Sequence, residues 1–198
     1  MLPLSNPKPC DVAQAVAALR RGAVVGLPTD TVYGLAADPF SERAVAALFA
    51  LKGRSAGNPI PLLAASAEQA ARLGALEGAA LAAVRAHWPG ALTVVVRRAG
   101  GLPVWVGDAE HDTVGLRVPD HPAALALLAA SGPLAVTSAN RSGEAPATDE
   151  AAARAMFGNR VAAYLPGSGA QVPPSTVVDF TGPSPRALRS GPVPWEPS

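Results

Sequence analysis

AVVGLPTDTVYGL, residues 23–35, joins an apolar run to a polar one. Residues 23–27 are apolar throughout and Pro28 interrupts them, so the sequence predicts a short buried strand. The next residues include two threonines, an aspartate and a tyrosine, which is more polar chemistry than a plain turn requires. Open α/β sheets bind ligands beyond the carboxyl ends of their strands, so we interpret residues 28–35 as part of a ligand site. The alternative is a plain strand-to-helix connection whose hydroxyls serve as caps.

Segments typical of helices and strands alternate on both sides of this stretch. Asp11 is a candidate cap for a helix that Gly22 ends, and Ser41 for a helix that Gly53 ends. The other predicted elements are an apolar run at 60–65, an Ala-rich helical stretch from Ser66 to about His87 interrupted at Gly74 and Gly78, strands at 91–98, 113–118, 134–138 and 175–180 (the last one), a helix begun by Pro122 and a helix capped by Thr148. This alternation predicts an α/β fold, a mixed sheet with flanking helices.

Length and composition exclude several classes of protein. The chain has 198 residues, so we expect a single domain over residues 1–198. A formal net charge of +1 argues against a protein that holds nucleic acid mainly through charge. Cys10 is the only cysteine, which excludes an internal disulfide and a thiolate metal cluster. Without a signal-peptide core at the start or a run of about 20 apolar residues, we expect a cytoplasmic protein with no membrane partner.

The familiar catalytic and nucleotide-binding motifs are missing from the sequence. It has no Walker-type phosphate loop, no complete dinucleotide fingerprint and no G-x-S-x-G segment. The three histidines, His87, His111 and His121, occur singly, so we expect them in surface or capping roles rather than on a metal.

Polar residues instead collect in four further segments. Lys52 and Arg54 flank a glycine at a helix end, either as favourable charge at the helix terminus or as a phosphate clamp. Arg117 lies within an apolar strand, where it needs an anion from the protein or from a ligand. Residues 137–148 carry small hydroxyl and amide groups that suit a hydrogen-bonding pocket or a turn. Residues 175–179 are followed by Arg189, again beside apolar sequence.

Taken in order, five of these segments resemble the YrdC/YciO-like family of threonylcarbamoyl-AMP synthases. They are PTDTVYGL at 28–35, KGR with NP at 52–59, GLRVP at 115–119, TSANRSG at 137–143 and STVVD at 175–179. The resemblance covers about residues 12–191. It implies a twisted mixed sheet with a concave, positively lined central cavity, in the short form without the extra carboxyl-terminal domain of some relatives.

The resemblance also implies an activity. L-Threonine, bicarbonate and ATP would give threonylcarbamoyl-AMP and pyrophosphate for the N6-threonylcarbamoyladenosine modification of tRNA position 37. A tRNA-modifying transferase complex would act downstream, with weak or no direct tRNA binding by this chain. ATP would be a substrate accompanied by Mg²⁺, whose protein ligands the sequence does not specify.

The site residues implied by the resemblance fall into two groups. The ATP group is Lys52, Arg54, Asn58, Thr113, Asn140, Thr148 and Arg189, of which Lys52 and Arg54 would assist catalysis electrostatically, with no covalent nucleophile. The threonine group is Thr31, Leu63, Arg117, Ser138 and Ser175, with Arg117 on the carboxylate. Two positions depart from the family pattern. Ser55 replaces a frequent proline, and Leu63 stands where many relatives have a histidine donor.

Two other functions remain open at this point. One is a carbamoyl-adenylating relative that acts on carbamoyl phosphate or on another acceptor. The other is an RNA-binding module that uses the same concavity. The near-neutral charge and the 5% content of aromatic residues disfavour RNA binding, which usually relies on basic grooves and base stacking.

Overall fold

The computed structural model describes residues 10–53, 59–170 and 172–195. Its strands are β1 (Val25–Leu27), β2 (Gly34–Ala37), β3 (Leu62–Leu63), β4 (Leu92–Arg97), β5 (Thr113–Arg117), β6 (Leu134–Ser138), β7 (Ala163–Tyr164), β8 (Thr176–Asp179) and β9 (Arg186–Arg189). Its helices are α1 (Val12–Arg20), α2 (Glu42–Lys52), α3 (Ala67–Ala71), α4 (Gly78–His87), α5 (Pro122–Ser131) and α6 (Glu150–Phe157), and a 3₁₀ turn covers Gly158–Arg160.

These strands form one mixed sheet in the order β7-β1-β2-β6-β3-β5-β4-β8-β9. The pairs β7–β1, β3–β5 and β4–β8 are parallel and the others are antiparallel. The predicted α/β class with a mixed sheet is therefore confirmed. In the described residues, no helix has both the length and the hydropathy needed to span a bilayer.

Local capping explains why the first two helices lie where the sequence places them. The Asp11 carboxylate accepts from the Gln14 amide at 2.8 Å, and the Gln14 side chain accepts from the Asp11 amide at 3.2 Å. Ser41 accepts from the amide of Ala44 at 3.3 Å at the start of α2. Gly53 ends α2 with a φ of 61°, a left-handed conformation that favours glycine. Both predicted helices are confirmed.

The predicted cap of α6 is wrong by one residue. Asp149 caps this helix, because its carboxylate accepts from the amide of Ala152 at 2.8 Å. The hydroxyl of Thr148 instead donates to the Asp149 carboxylate at 3.2 Å. Both residue types are good caps, and the sequence alone does not distinguish adjacent candidates.

Three strands, β2, β7 and β9, were not predicted, and residues 175–180 do not form the last strand. β2 and β7 are short, and β2 is made of Gly, Leu and Ala, which carry no alternating pattern. All four residues of β9 are exposed. Backbone pairing with neighbouring strands produces these strands, and a search for hydrophobic periodicity does not detect that pairing.

The two faces of the sheet are covered unequally. Val25 and Leu27 of β1 pack on the side of α1 and α5, whereas Leu35 of β2 packs on the opposite side with α2, α4 and α6. The apolar cluster around α1 and α5 draws its strand residues from β1, β2, β3 and β6. On this first side the part of the sheet formed by β5, β4 and β8 faces a cavity, and no helix of the described ranges packs on it.

The corrected helix cap yields a prediction about stability. Asp149→Ala lowers the free energy of unfolding by about 0.5–2 kcal/mol, because an amide of the first turn of α6 loses its acceptor. Thr148→Ala is the matched control and changes it by less than about 0.5 kcal/mol. Urea unfolding measures both variants. A larger loss of unfolding free energy for Thr148→Ala would show that Thr148 is the cap of α6.

Candidate functional site

A cavity of about 470 Å³ lies on the half of the sheet that α1 and α5 leave open. Strands, loops and the last residue of α2 all contribute to its walls. The described residues that line it are Thr29, Thr31, Val32, Gly34, Lys52, Pro59, Pro61, Leu63, Thr93, Val95, Asp108, Thr113, Gly115, Arg117, Val136, Thr137, Ser138, Pro174, Ser175, Val177, Leu188 and Arg189. Three of these carry positive charge and one, Asp108, carries a carboxylate.

Arg117 is a deeply buried cation of the cavity, with 5% of its surface exposed, the same fraction as Lys52. It donates from Nε to the carbonyl of Gly90 at 3.0 Å, from Nη1 to Thr31 Oγ1 at 3.1 Å, and from Nη2 to Asp30 Oδ1 at 2.6 Å. Burial lowers the pKa of Arg117, and the Asp30 carboxylate opposes that shift. The expected anion is thus a protein carboxylate, and two guanidinium N–H groups remain beyond these three bonds.

The loop between β1 and β2 is held by its own threonines. Thr29 Oγ1 donates to the carbonyl of Val32 at 2.7 Å and lies 3.1 Å from Thr31 Oγ1. The tyrosine of this segment plays a different part, because Tyr33 is buried in the hydrophobic core and donates to the carbonyl of Leu165 at 2.6 Å. Burial raises the pKa of Tyr33. The threonines of residues 28–35 therefore line the cavity, while Tyr33 anchors the loop from beneath.

A second cation enters from the end of α2. Lys52 Nζ donates to the carbonyl of Ser138 at 3.0 Å and to its hydroxyl at 2.9 Å, and it also donates to Asn140 Oδ1. Ser138 in turn donates to Asn140 Oδ1 at 2.7 Å. The Asn140 amide is fixed by the carbonyls of Arg141 and Glu144 at 2.8 and 2.7 Å. These bonds join α2 to the end of β6.

A third cation approaches from the edge strand β9. Arg189 donates from Nε to the carbonyl of Ser175 at 3.0 Å and from Nη2 to the Ser175 hydroxyl at 3.2 Å. The Ser175 hydroxyl is also 2.7 Å from Thr93 Oγ1 of β4. Gly191 makes this approach possible, because a Cβ there would lie 2.4 Å from the amide nitrogen of Thr176.

Most of the predicted site residues meet in this cavity. Those that line it are Thr31, Lys52, Leu63, Thr113, Arg117, Ser138, Ser175 and Arg189. Asn140 is not among the described lining residues, but its Oδ1 accepts hydrogen bonds from Lys52 and Ser138, which are. Thr148 is exposed and is absent from the described lining. Arg54 and Asn58 lie outside the described residues.

Sequence reasoning missed two polar residues of the lining, Thr93 and Asp108. Thr93 belongs to a β-branched run that indicates only strand propensity. Asp108 accepts from the backbone amide of His111 at 3.1 Å and lies 2.9 Å from its Nδ1, contacts that lower the pKa of Asp108 and raise that of His111. His121 has the expected capping role, because its Nδ1 accepts from the Ala123 amide at 3.2 Å.

A metal held by the protein alone does not fit the described residues. Three or more histidine, cysteine, aspartate or glutamate side chains do not cluster anywhere among them. A divalent ion prefers several oxygen ligands, and Asp108 is the one carboxylate in the described lining.

Comparison with known proteins shows the family of this chain. The sequence model of the Sua5/YciO/YrdC family, described as "Telomere recombination", matches residues 17–191. The chain belongs to the Sua5/YciO/YrdC family. The resemblance of the five segments is thereby confirmed.

Individual relatives cover most of the chain. A Mycobacterium tuberculosis protein is 46% identical over 187 residues, 93% of this chain and 86% of its own. The threonylcarbamoyl-AMP synthase of Halorhodospira halophila is 43% identical over 162 residues, 81% of this chain and 84% of its own.

Solved structures share the fold. E. coli YciO superposes with a TM-score of 0.85 at 26% identity and covers 91% of this chain and 89% of its own. P. abyssi Sua5 complexed with L-threonine has a TM-score of 0.87 at 35% identity. That match covers 92% of this chain, which spans just over half, 54%, of the Sua5 chain.

The Arg117–Asp30 pair yields a second prediction. Asp30→Asn lowers the free energy of unfolding by about 1.5–3 kcal/mol, because it removes the charge from a hydrogen bond to a buried cation. Glu150→Gln is the control, since its pair with Arg154 is more exposed and an i,i+4 helix pair contributes about 0.3–0.5 kcal/mol. Equal losses in urea unfolding would show that burial does not strengthen the Arg117–Asp30 pair.

Proposed function

We propose that this protein is an L-threonylcarbamoyladenylate synthase, which forms threonylcarbamoyl-AMP and pyrophosphate from L-threonine, bicarbonate and ATP. The observation that carries the proposal is the convergence of the family segments on one cavity. Residues distant in sequence, from Thr31 to Arg189, line the same 470 Å³ space. The names of the relatives support the same activity, and so does the L-threonine complex of the Sua5 neighbour.

The reaction joins its substrates without a bond to the protein. The threonine amine captures the bicarbonate carbon with loss of water and gives N-carboxy-threonine. An oxygen of the new carboxylate then forms a bond to the α-phosphorus of ATP, and the bond from that phosphorus to pyrophosphate breaks. The cavity suits such a step, because no cysteine or histidine is among its described lining residues, whereas three cations are. Catalysis then rests on orientation and on charge at the phosphoryl centre.

The cations divide the cavity between two substrates. Arg117 keeps an N–H group on each terminal nitrogen beyond its bonds to Thr31 and Asp30, which suits the carboxylate of threonine. Thr31, Leu63, Ser138 and Ser175 complete this amino-acid subsite. Lys52, Thr113 and Arg189 bind ATP, together with Asn140, Thr148, Arg54 and Asn58. Lys52 and Arg54 have the electrostatic catalytic role.

Leu63 changes the chemistry of the amino-acid subsite relative to relatives with a histidine. It is 3% exposed and pairs in register with Arg117. An apolar wall here presses on the threonine methyl group, while the hydroxyls of Thr31, Ser138 and Ser175 serve its polar atoms. A pocket of this kind selects threonine over valine, because valine leaves buried polar groups without partners.

The same proposal includes a metal ion, a downstream partner and a weak or absent interaction with tRNA. Mg²⁺ arrives with the triphosphate, since the cavity has a single carboxylate in its described lining. A tRNA-modifying transferase complex consumes the product in the cytoplasm. Direct tRNA binding by this chain is weak or absent, in keeping with a net charge of +1.

The proposed activity predicts a double requirement. Pyrophosphate release from ATP needs both L-threonine and bicarbonate, and omission of either returns it to background, because neither alone supplies the attacking carboxylate. Mass analysis of the products detects threonylcarbamoyl-AMP. Valine in place of threonine is the matched control and supports little release.

Two outcomes of this assay would contradict the proposal. Equal release without threonine or bicarbonate indicates a nucleotide hydrolase. Release that depends on carbamoyl phosphate instead of both substrates indicates the carbamoyl-adenylating alternative. A salt titration of tRNA binding tests the RNA-binding alternative, which requires a steep loss of affinity with rising salt.

Strand β9 offers a matched pair of arginines for the ATP subsite. Arg189→Ala weakens ATP binding about ten-fold or more, because a charge-assisted hydrogen bond contributes roughly 1.5–3 kcal/mol. Arg186→Ala leaves ATP affinity unchanged, because Arg186 pairs with Asp179 and does not line the cavity. Calorimetry measures ATP binding by both variants. Equal ATP affinities in Arg189→Ala and Arg186→Ala would show that Arg189 does not bind the nucleotide.

A further inference from the structure

We propose that Thr93, which has no role in the function proposed above, is a positioning residue that directs the hydroxyl of Ser175 toward the bound amino acid. The inference rests on that proposed function, because it takes Ser175 as a threonine-binding residue. Thr93 lines the cavity with 3% of its surface exposed, and its Oγ1 is 2.7 Å from Ser175 Oγ.

Strand register brings the two hydroxyls together. β4 and β8 are parallel, with Leu92 opposite Thr176 and Thr93 opposite Val177. Ser175, just before β8 and two residues before Val177, lies on the same face of the sheet as Val177, so it is the diagonal neighbour of Thr93. Side chains alternate along β4, so Thr93 faces the cavity while Val94 packs in the core.

Arginine chemistry fixes the direction of the bond from Arg189 to Ser175, whereas either hydroxyl of the Thr93–Ser175 pair is able to donate, and we assign that donation to Thr93. Arg189 only donates, so Ser175 Oγ accepts from its Nη2 at 3.2 Å. A serine oxygen has two lone pairs and one proton. If Thr93 donates to the second lone pair, the single proton of Ser175 has one direction left, the cavity. Neither hydroxyl has another partner among the described contacts.

This arrangement presents a committed donor to the ligand. With both lone pairs occupied, Ser175 is a donor beside the guanidinium of Arg189 and suits an anionic oxygen, such as a carboxylate oxygen of threonine. Without the Thr93 hydroxyl, the Ser175 hydroxyl is free to rotate and to accept instead. The expected cost therefore falls on amino-acid binding and depends on the presence of Ser175.

Thr93→Val tests the role, because valine keeps the shape and removes the hydroxyl. We expect the Kd for L-threonine to rise about three- to ten-fold, the equivalent of one hydrogen bond. Thr93→Ser keeps a hydroxyl, so its Kd for L-threonine stays within about two-fold of the wild-type value. Thr176→Val is the matched control, since Thr176 is a buried threonine of β8 that bonds to Val193 away from the cavity, and it leaves the Kd unchanged. The Kd for ATP stays within about two-fold of the wild type in all three.

A double-mutant cycle separates positioning from direct contact. In the Ser175→Ala background, adding Thr93→Val changes the Kd for threonine by less than about two-fold if Thr93 acts through Ser175. A full additional loss would overturn the proposal, because Thr93 would then contact the substrate itself. An unchanged Kd in Thr93→Val alone would also overturn it, as would equal losses for threonine and ATP.

The same variants keep this inference separable from the proposed function. If the wild type releases no pyrophosphate with threonine and bicarbonate, the synthase proposal fails. The unfolding cycle of Thr93→Val with Ser175→Ala then tests the hydroxyl pair without any substrate. Non-additive losses in urea unfolding support the coupling, and additive losses overturn it.

Discussion

The buried guanidinium of Arg117 constrains much of the structure around it. A cation on an inner strand of the sheet is costly without partners. Its partners come from the turn at Gly90, from the loop that holds Thr31, and from Asp30 in the same loop. The hairpin of β1 and β2 must therefore reach across β6 and β3 to β5, and the loop between the hairpin strands becomes one wall of the cavity.

The position of the cavity follows from the unequal covering of the sheet. α1 and α5 pack on the strands at one end, and the helices α2, α4 and α6 pack on the opposite face. Among the described residues, no helix packs on the side chains of β5, β4 and β8 that point to the side of α1 and α5. These side chains alternate with core residues, so hydroxyls and Arg117 face the cavity while Val94, Leu116 and Val178 stay in the core.

The sequence predicts what depends on local chemistry. The caps Asp11 and Ser41 act on amides three residues away, and the need of Arg117 for an anion follows from its apolar strand. What depends on distant pairing was missed. β9 is exposed and exists because β8 pairs with it, and the role of Thr93 appears only when β8 places Ser175 beside it. The cap of α6 shows that local patterns can also mislead, since the sequence predicts Thr148 and the structure has its neighbour Asp149.

The contacts of the cavity hydroxyls argue for chemistry between substrates rather than on the protein. A serine or threonine nucleophile needs a base to take its proton, and histidine is the usual one. The hydroxyls of Thr31, Ser138 and Ser175 instead accept from the cations Arg117, Lys52 and Arg189 respectively. A positive donor holds each oxygen and lowers its nucleophilicity. The three hydroxyls therefore suit recognition of a small polar ligand, and the three cations suit anionic reactants that attack one another.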